Sequence, residues 1–283
     1  MLSVLNRRAV GPGALKPWLL LLPLVLFLCA FFLVPLGQVA LMSVTEPELG
    51  LGNYAHLTSD SLYLQVFLNT FLTALGVALC CLLLGYPLAY LMAQSSPRVA
   101  ALLMLLVTMS FWTSFLVRTY AWMVLLGNNG PVTAFLVSLG WNPPPHLLFT
   151  RLSSTLAMVH ILIPYMVMSL YSVMKRIDPA LLRAAESLGA RPWSVFRQVY
   201  LPLSAPGMVN GATLVFMICL GFYVTPVLLG SPQEQMVAGL IGTQIEEFLD
   251  FGQASAMAMV LLASTLIVLT VYHRRFGLDR LWG

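Results

Sequence analysis

Six runs of the chain stay apolar for longer than a soluble core helix needs, at about 17–42, 64–93, 99–126, 152–174, 204–229 and 253–272. A bilayer core of about 30 Å takes roughly 20 apolar residues per helix, so each run predicts one membrane span. The second run is long enough to demand tilt or projection beyond the bilayer. Its Gly85-Tyr86-Pro87 predicts a kink near one end. Between the third and fourth runs, Asn128-Asn129-Gly130-Pro131 signals a turn and Pro143-Pro144-Pro145 a second break. The stretch between them, Val132 to Leu139, reads as a short helix lying on the surface. Gly207 and Gly211 open the fifth run at a spacing that lets another helix approach closely, an ordinary packing feature. No repeat of 20–50 residues and no soluble domain interrupts this order, so 1–283 reads as one polytopic domain.

One segment breaks the apolar pattern. From Asp178 to Gly207 the chain is amphipathic and charged, DPALLRAAESLGARPWSVFRQVYLPLSAPG. Asp178 is placed to cap a helix that Pro179 begins. Leu181, Leu182, Ala185 and Leu188 recur at helical spacing and predict one closely packed apolar face. Gly189 falls where a left-handed helix end belongs. Pro192 starts a second short helix with Trp193, Phe196 and Tyr200 three and four residues apart, and Leu201-Pro202 is expected to stop it. Two short helices around a glycine corner make a rigid knob. Periodicity by itself also accommodates an amphipathic hairpin lying on the membrane surface.

Composition sharpens the class. The chain is 59% hydrophobic and 8% charged, against about 25% charged residues in a soluble domain. No soluble fold hides that much apolar surface, so the formal charge of +4 bears on topology rather than on a nucleic-acid partner. Six spans put both termini on one side with the loops after spans two and four. That side collects Arg7, Arg8, Lys16, Arg98, Lys175, Arg176, Arg183, Arg191, Arg197, Arg274, Arg275 and Arg280. The other side holds Arg151, with Arg118 near the end of span three. The bias predicts cytoplasmic termini and a cytoplasmic 175–203 segment. Arg7, Arg8 and Lys16 precede a run longer than a signal-peptide core with no small-residue cleavage site after it, which reads as an uncleaved first span.

Candidate chemistry is sparse. Cys29, Cys80, Cys81 and Cys219 all fall in apolar runs without zinc spacing and read as small core residues. No GxxxxGK[ST], HExxH or GxSxG occurs, and the four histidines are scattered. His160, inside span four, is expected to pack or hydrogen-bond there. The remaining alternatives are an ion-coupled transporter, for which only His160 would serve at the midplane, and a non-transporting membrane scaffold.

Two stretches carry a family resemblance. Arg183-Ala184-Ala185, then Gly189, then Leu201-Pro202 resembles the EAA loop of ABC importer permeases, with Arg183 standing where that family has glutamate. Ser110-Phe111-Trp112-Thr113-Ser114-Phe115-Leu116-Val117-Arg118-Thr119-Tyr120-Ala121-Trp122 is similar to a signature of spermidine/putrescine-type permeases. Asn69-Thr70, Gly85-Tyr86-Pro87-Leu88-Ala89-Tyr90, Ile163-Pro164-Tyr165-Met166 and Val224-Thr225-Pro226-Val227-Leu228-Leu229-Gly230 extend the resemblance over nearly the whole chain.

The resemblance implies an all-α integral membrane protein, a type I ABC importer permease with six transmembrane helices and cytoplasmic coupling helices, in the bacterial cytoplasmic (inner) membrane. It implies three kinds of neighbour besides membrane lipid, namely a second homologous permease, two cytoplasmic ATPase subunits and an extracytoplasmic solute-binding protein, and no nucleic acid. ATP would be used by the ATPases, with no cofactor bound and no reaction catalysed by this chain. The docking surface would comprise Arg183, Ala184, Ala185, Glu186, Gly189, Trp193, Phe196, Leu201 and Pro202. Candidate pathway residues are Trp112, Arg118, Tyr120, Phe222 and Tyr223. A polyamine is the leading solute, although a polycation calls for carboxylates or aromatic faces and no span of this chain carries an acid. An amino acid or other organic ion is the alternative.

Overall fold

A computed structural model describes residues 17–276, and every regular element among them is helical. The described residues open with α1 (Pro17–Leu28), which runs through a π-turn (Cys29–Leu33) into α2 (Val34–Thr45). A short α3 (Gly52–Ser59) precedes the long α4 (Ser61–Gln94). Next come α5 (Pro97–Trp112), α6 (Phe115–Leu126), the short α7 (Pro131–Ser138) and α8 (Arg151–Met174). The knob consists of α9 (Pro179–Ser187) and α10 (Pro192–Val195), and a second π-turn (Phe196–Tyr200) joins it to α11 (Leu201–Leu220). The described residues close with α12 (Val224–Leu229), α13 (Val237–Glu246) and α14 (Phe251–Phe276).

Five continuous units are long and apolar enough to cross a membrane, and a bent pair supplies a sixth. The six-span expectation therefore meets its helices, with two corrections to their shape. The third run, expected as one span at 99–126, is broken at Thr113-Ser114, and α5 meets the following Phe115–Ser138 stretch at 93°. Thr113 and Ser114 are both extended; their short polar side chains compete for backbone partners and disfavour helix interiors. The fifth run, expected at 204–229, instead spans Pro192–Leu220 and is interrupted by Gly221-Phe222-Tyr223.

Leu201-Pro202 does not stop the second knob helix. A proline has no N–H and its ring clashes with the carbonyl four residues back. The π-turn at Phe196–Tyr200 redirects the bonding one residue further, so that Leu201 N–H reaches the Phe196 carbonyl and the helix continues. The same device precedes Pro35, where Val34 N–H reaches the Cys29 carbonyl. Pro87 likewise lies inside α4 without interrupting it. The basic residues Arg7, Arg8, Lys16 and Arg280, used in the orientation argument, lie outside the described residues.

The core sits between α4, α8 and α11, and all three contribute buried residues about four apart. On α4 these are Ala74, Ala78, Cys81, Gly85 and Ala89; on α8, Met158, Leu162, Met166 and Leu170; on α11, Gly207, Gly211, Val215 and Cys219. The small residues of α4 and α11 receive the long side chains of α8, the arrangement expected where close van der Waals contact, rather than escape from water, holds helices together. A second apolar cluster joins Leu57, Tyr63 and Val66 to Val237, Leu240, Ala256 and Met257. In the first span the apolar side chains from Leu21 to Val34 are mostly exposed, as lipid contact requires, whereas α2 packs against α14 and half-covers Leu36, Val39, Ala40 and Met42.

Candidate functional site

The two interruptions found in the third and fifth spans meet. Thr113, Ser114 and Phe115 from the α5–α6 break, and Gly221, Phe222 and Tyr223 from the α11–α12 break, line one cavity of about 520 Å³. Ile161, Leu162 and Tyr165 of α8 form its wall. Thr119 and Thr225 hydroxyls, 3.0 Å apart and buried, tie α6 to α12 just beside it. Non-helical backbone at membrane depth is tolerated only when packed in protein or bordering a water-filled space. Two breaks facing one largely apolar cavity make it the candidate solute site of the bundle.

Arg118 sits in the first turn of α6 and lines this cavity. Its Nη1 donates to Ser110 Oγ at 2.7 Å, back on α5, while its Nε is buried without a hydrogen-bond partner among the described residues. The guanidinium thus turns inward rather than along the outside of the bundle. Phe111 and Tyr165 meet edge to face at 4.9 Å, giving the cavity an aromatic side. Trp122 Nε1–H donates to His160 Nδ1 at 3.1 Å, so the hydrogen of the neutral ring sits on Nε2. That contact is the hydrogen-bonding role expected of His160.

Of the five pathway candidates, Arg118, Phe222 and Tyr223 line the cavity, whereas Trp112 and Tyr120 do not. Trp112 is 91% exposed on the outside of the helix break. Sequence reasoning passed over Phe111, Phe115 and Tyr165 as lining groups. Tyr165 lay in a quoted motif, Ile163-Pro164-Tyr165-Met166, yet nothing in its spacing placed it across from the third span.

The knob is built as its residues dictate. Asp178 accepts from Ala180 N–H at 2.8 Å and caps α9. At the other end Gly189 has φ +87°; its N–H reaches the Glu186 carbonyl at 2.9 Å and Ala190 N–H reaches that of Ala185 at 3.2 Å. This pair of bonds is the glycine-dependent helix stop. Trp193, Phe196 and Tyr200 stack in sequence, with ring centroids 5.5 and 6.1 Å apart. Tyr86 and Tyr90 of α4 meet Phe196 edge-on at 6.2 and 5.9 Å, so the aromatic ladder fastens the knob to the central bundle.

The closely packed apolar face expected of α9 is only partly covered. Leu182 and Ala185 are half-buried, but Leu181 is exposed and Leu188 is 89% exposed. Leu181 still borders a cleft with Val173 of α8 and Leu203 of α11, whereas Leu188 and the 68% exposed Trp193 stay largely uncovered. Arg183, Ala184 and Glu186 are exposed on the same helix, while Leu201 and Pro202 belong to the start of α11. The knob offers a mixed apolar and charged surface of its own.

At the opposite end of the bundle a polar clasp joins three elements. Arg151 Nη2 donates to Asn69 Oδ1 at 3.0 Å, Asn69 Nδ2 donates to the Gln233 carbonyl at 3.1 Å, and Arg151 Nε lies 3.5 Å from Glu234 Oε1. Val237 N–H donates to the buried Thr70 hydroxyl at 2.9 Å, anchoring α13 to α4.

Comparison with known proteins points the same way. Residues 85–276 match the family model described as binding-protein-dependent transport system inner membrane component. The chain is 34% identical over 225 residues to the spermidine/putrescine transport system permease protein PotB of Salmonella typhimurium, covering 79% of this chain and 78% of that one. It is 35% identical over 226 residues to PotB of Haemophilus influenzae, covering 78% of each. Among solved structures, a bacterial alginate ABC transporter in complex with an alginate pentasaccharide-bound periplasmic protein contains a chain of the same fold. The TM-score is 0.72 at 17% identity, with 92% of this chain and 94% of that chain covered.

Proposed function

Since this chain belongs to the family of binding-protein-dependent transport system inner membrane components, we propose that it forms half of an inner-membrane passage for polyamines of the spermidine and putrescine kind. The importer-permease role follows from the family. The observation that carries the passage itself is the meeting of two helix breaks at one cavity. The polyamine choice rests on the permeases that this chain resembles and on the aromatic faces of Phe111, Tyr165, Phe222 and Tyr223, which suit ammonium groups.

In this reading a second homologous permease supplies the other half of the passage. Two cytoplasmic ATPases dock on the knob, through the exposed Leu181, Leu188 and Trp193 and the α9 surface that carries Arg183, Ala184, Ala185 and Glu186. An extracytoplasmic solute-binding protein delivers solute at the end of the bundle that carries the Arg151 clasp. The termini and the knob face the cytoplasm. ATP is consumed by the ATPases, and this chain catalyses no reaction. Closure of the ATPases pushes the knob, and the aromatic ladder passes that movement to α4 and α11 as a rigid-body rotation.

The test is reconstitution of the four kinds of subunit in lipid discs, with ATP hydrolysis followed as the solute-binding protein is loaded with putrescine, spermidine, an amino acid or a dicarboxylate. Stimulation by putrescine or spermidine above the other solutes is expected. Stimulation by an amino acid alone would replace the polyamine assignment while leaving the importer role in place.

A further inference from the structure

Tyr223 borders the cavity, and its ring also lies against α13, the short helix at the clasp end of the bundle. The contact is made at Gly242. A Cβ there would stand 3.0 Å from Tyr223 Cε2 and 3.2 Å from both its Cζ and its hydroxyl oxygen. Non-bonded carbons rest about 3.5–4.0 Å apart, so the place that any side chain at 242 would need is already taken by the phenol. The other glycine in the middle of α13 differs. A Cβ at Gly239 would meet Gln235 Cγ and Val227 Cγ2, each at 3.3 Å, and neither residue lines the cavity.

Whether the ring or the helix yields to a side chain at 242 depends on what holds each. The α13 helix is pinned on both sides of Gly242. Val237 N–H donates to the Thr70 hydroxyl of α4 at 2.9 Å, and Gln244 Nε2 donates to the Tyr63 hydroxyl at 3.2 Å. Val237, Leu240 and Gln244 are all buried, the first two in the second apolar cluster with Ala256 and Met257. Close-packed groups of this kind do not slide by small amounts. Tyr223 belongs to the α11–α12 break and is 37% exposed. The ring is the part free to move.

We infer that Gly242 determines which solutes fit the cavity, by leaving room for the Tyr223 ring to lie back against α13. It touches no solute and acts as a positioning residue for Tyr223. A side chain at 242 drives the ring into the cavity and narrows it, and the longer of two solutes of like chemistry is excluded first. The inference rests on the importer reading given above, with the cavity as the solute site.

The experiment uses the complete importer in proteoliposomes, with ATP on the cytoplasmic side and the solute-binding protein on the other, and compares uptake of labelled putrescine and spermidine. Uptake by the wild-type complex tests the proposed function first, and its absence would remove the polyamine reading before Gly242 is touched. Gly242→Ala is expected to lower the ratio of spermidine to putrescine uptake by about threefold or more, and Tyr223→Ala to raise it. Adding Gly242→Ala to Tyr223→Ala is expected to leave the ratio within about twofold of that of Tyr223→Ala alone, because the ring to be pushed is gone. Gly239→Ala, expected to keep the wild-type ratio, controls for a general effect of side chains on α13. An unchanged ratio with Gly242→Ala, an equal fall for both solutes, or a further shift in the double variant would overturn the inference. If Gly242→Ala does not accumulate in membranes, accumulation is expected to return when Tyr223→Ala is added, and continued absence overturns the contact. The ring is also followed with no solute present, by replacing Tyr223 with a fluorotyrosine. Its fluorine resonance is expected to move with Gly242→Ala and to stay in place with Gly239→Ala. An unmoved resonance with Gly242→Ala overturns the inference whichever solute the importer carries.

Discussion

Gly207 and Gly211 lack side chains where α8 fills the space that side chains would need. A Cβ at Gly207 would lie 3.1 Å from Val173 Cβ and 3.3 Å from the Leu170 Cα, and one at Gly211 would lie 2.7 Å from Met166 Sδ. The two positions differ in what must yield. Methionine's flexible end turns aside at small cost, whereas a helix backbone does not. Gly207→Val is therefore expected to destabilise the protein by about 1–3 kcal/mol, and Gly211→Ala by less. Thermal aggregation midpoints of the purified complex, followed by fluorescence-detected gel filtration, check the order; equal midpoints would mean that the α8–α11 distance is not set at Gly207. The charged clasp at the other end behaves differently. Arg151 is half exposed, so Glu234→Gln should change stability by only about 0–1 kcal/mol in the same assay.

The knob is the element whose parts have separable tasks. Gly189 sits at φ +87° with open space around its missing Cβ, so a substitution there strains only the backbone. Gly189→Val should cost roughly 1–2 kcal/mol locally and loosen the corner between α9 and α10. Expected is normal insertion with loss of solute-stimulated ATP hydrolysis; hydrolysis at the wild-type rate would mean that the corner does not couple. The α9 helix separates charge from packing. Arg183 is exposed, while Ala185 is half-buried alongside Leu182. Ala185→Trp should therefore reduce ATPase co-purification roughly tenfold through overpacking worth ~1–3 kcal/mol, and Arg183→Ala should leave it nearly unchanged. The opposite pattern would mean that the loop docks by charge.

For the whole molecule, the six membrane-crossing units place the knob and the Arg151 clasp at opposite ends. The proposed orientation, with the knob in the cytoplasm, rests on the basic residues on the knob side, among them Lys175, Arg176, Arg183, Arg191 and Arg197. Labelling tests it directly. With the four native cysteines replaced by alanine, an impermeant thiol reagent added to intact cells should modify Gln233→Cys and spare Ser187→Cys. Both positions are exposed, so protection of Ser187→Cys would report the membrane rather than burial. Modification of Ser187→Cys with protection of Gln233→Cys would invert the topology.

How much of this was legible in the residue string depends on the distance over which each feature is decided. The apolar runs were legible because the thickness of a bilayer is a one-dimensional demand on a helix. The Asp178 cap and the Gly189 corner were legible because both are settled by neighbours within a few residues. The string also contained Leu201-Pro202 as a stop, and there the tertiary structure prevailed. Aromatic contacts from Tyr86 and Tyr90 brace the segment, and a π-turn absorbs the proline. The cavity is the largest thing that only the folded chain decides. Thr113-Ser114 and Gly221 to Tyr223 are weak helix breaks when each is read alone, and neither announces the other across some hundred residues. Packing of α8 between them brings both to one place, puts Tyr165 on the wall, turns Trp112 outward and leaves Arg118 facing inward without a counter-charge. Long-range placement of that kind is set by which helix faces fit together, and helical periodicity within one segment carries no record of it.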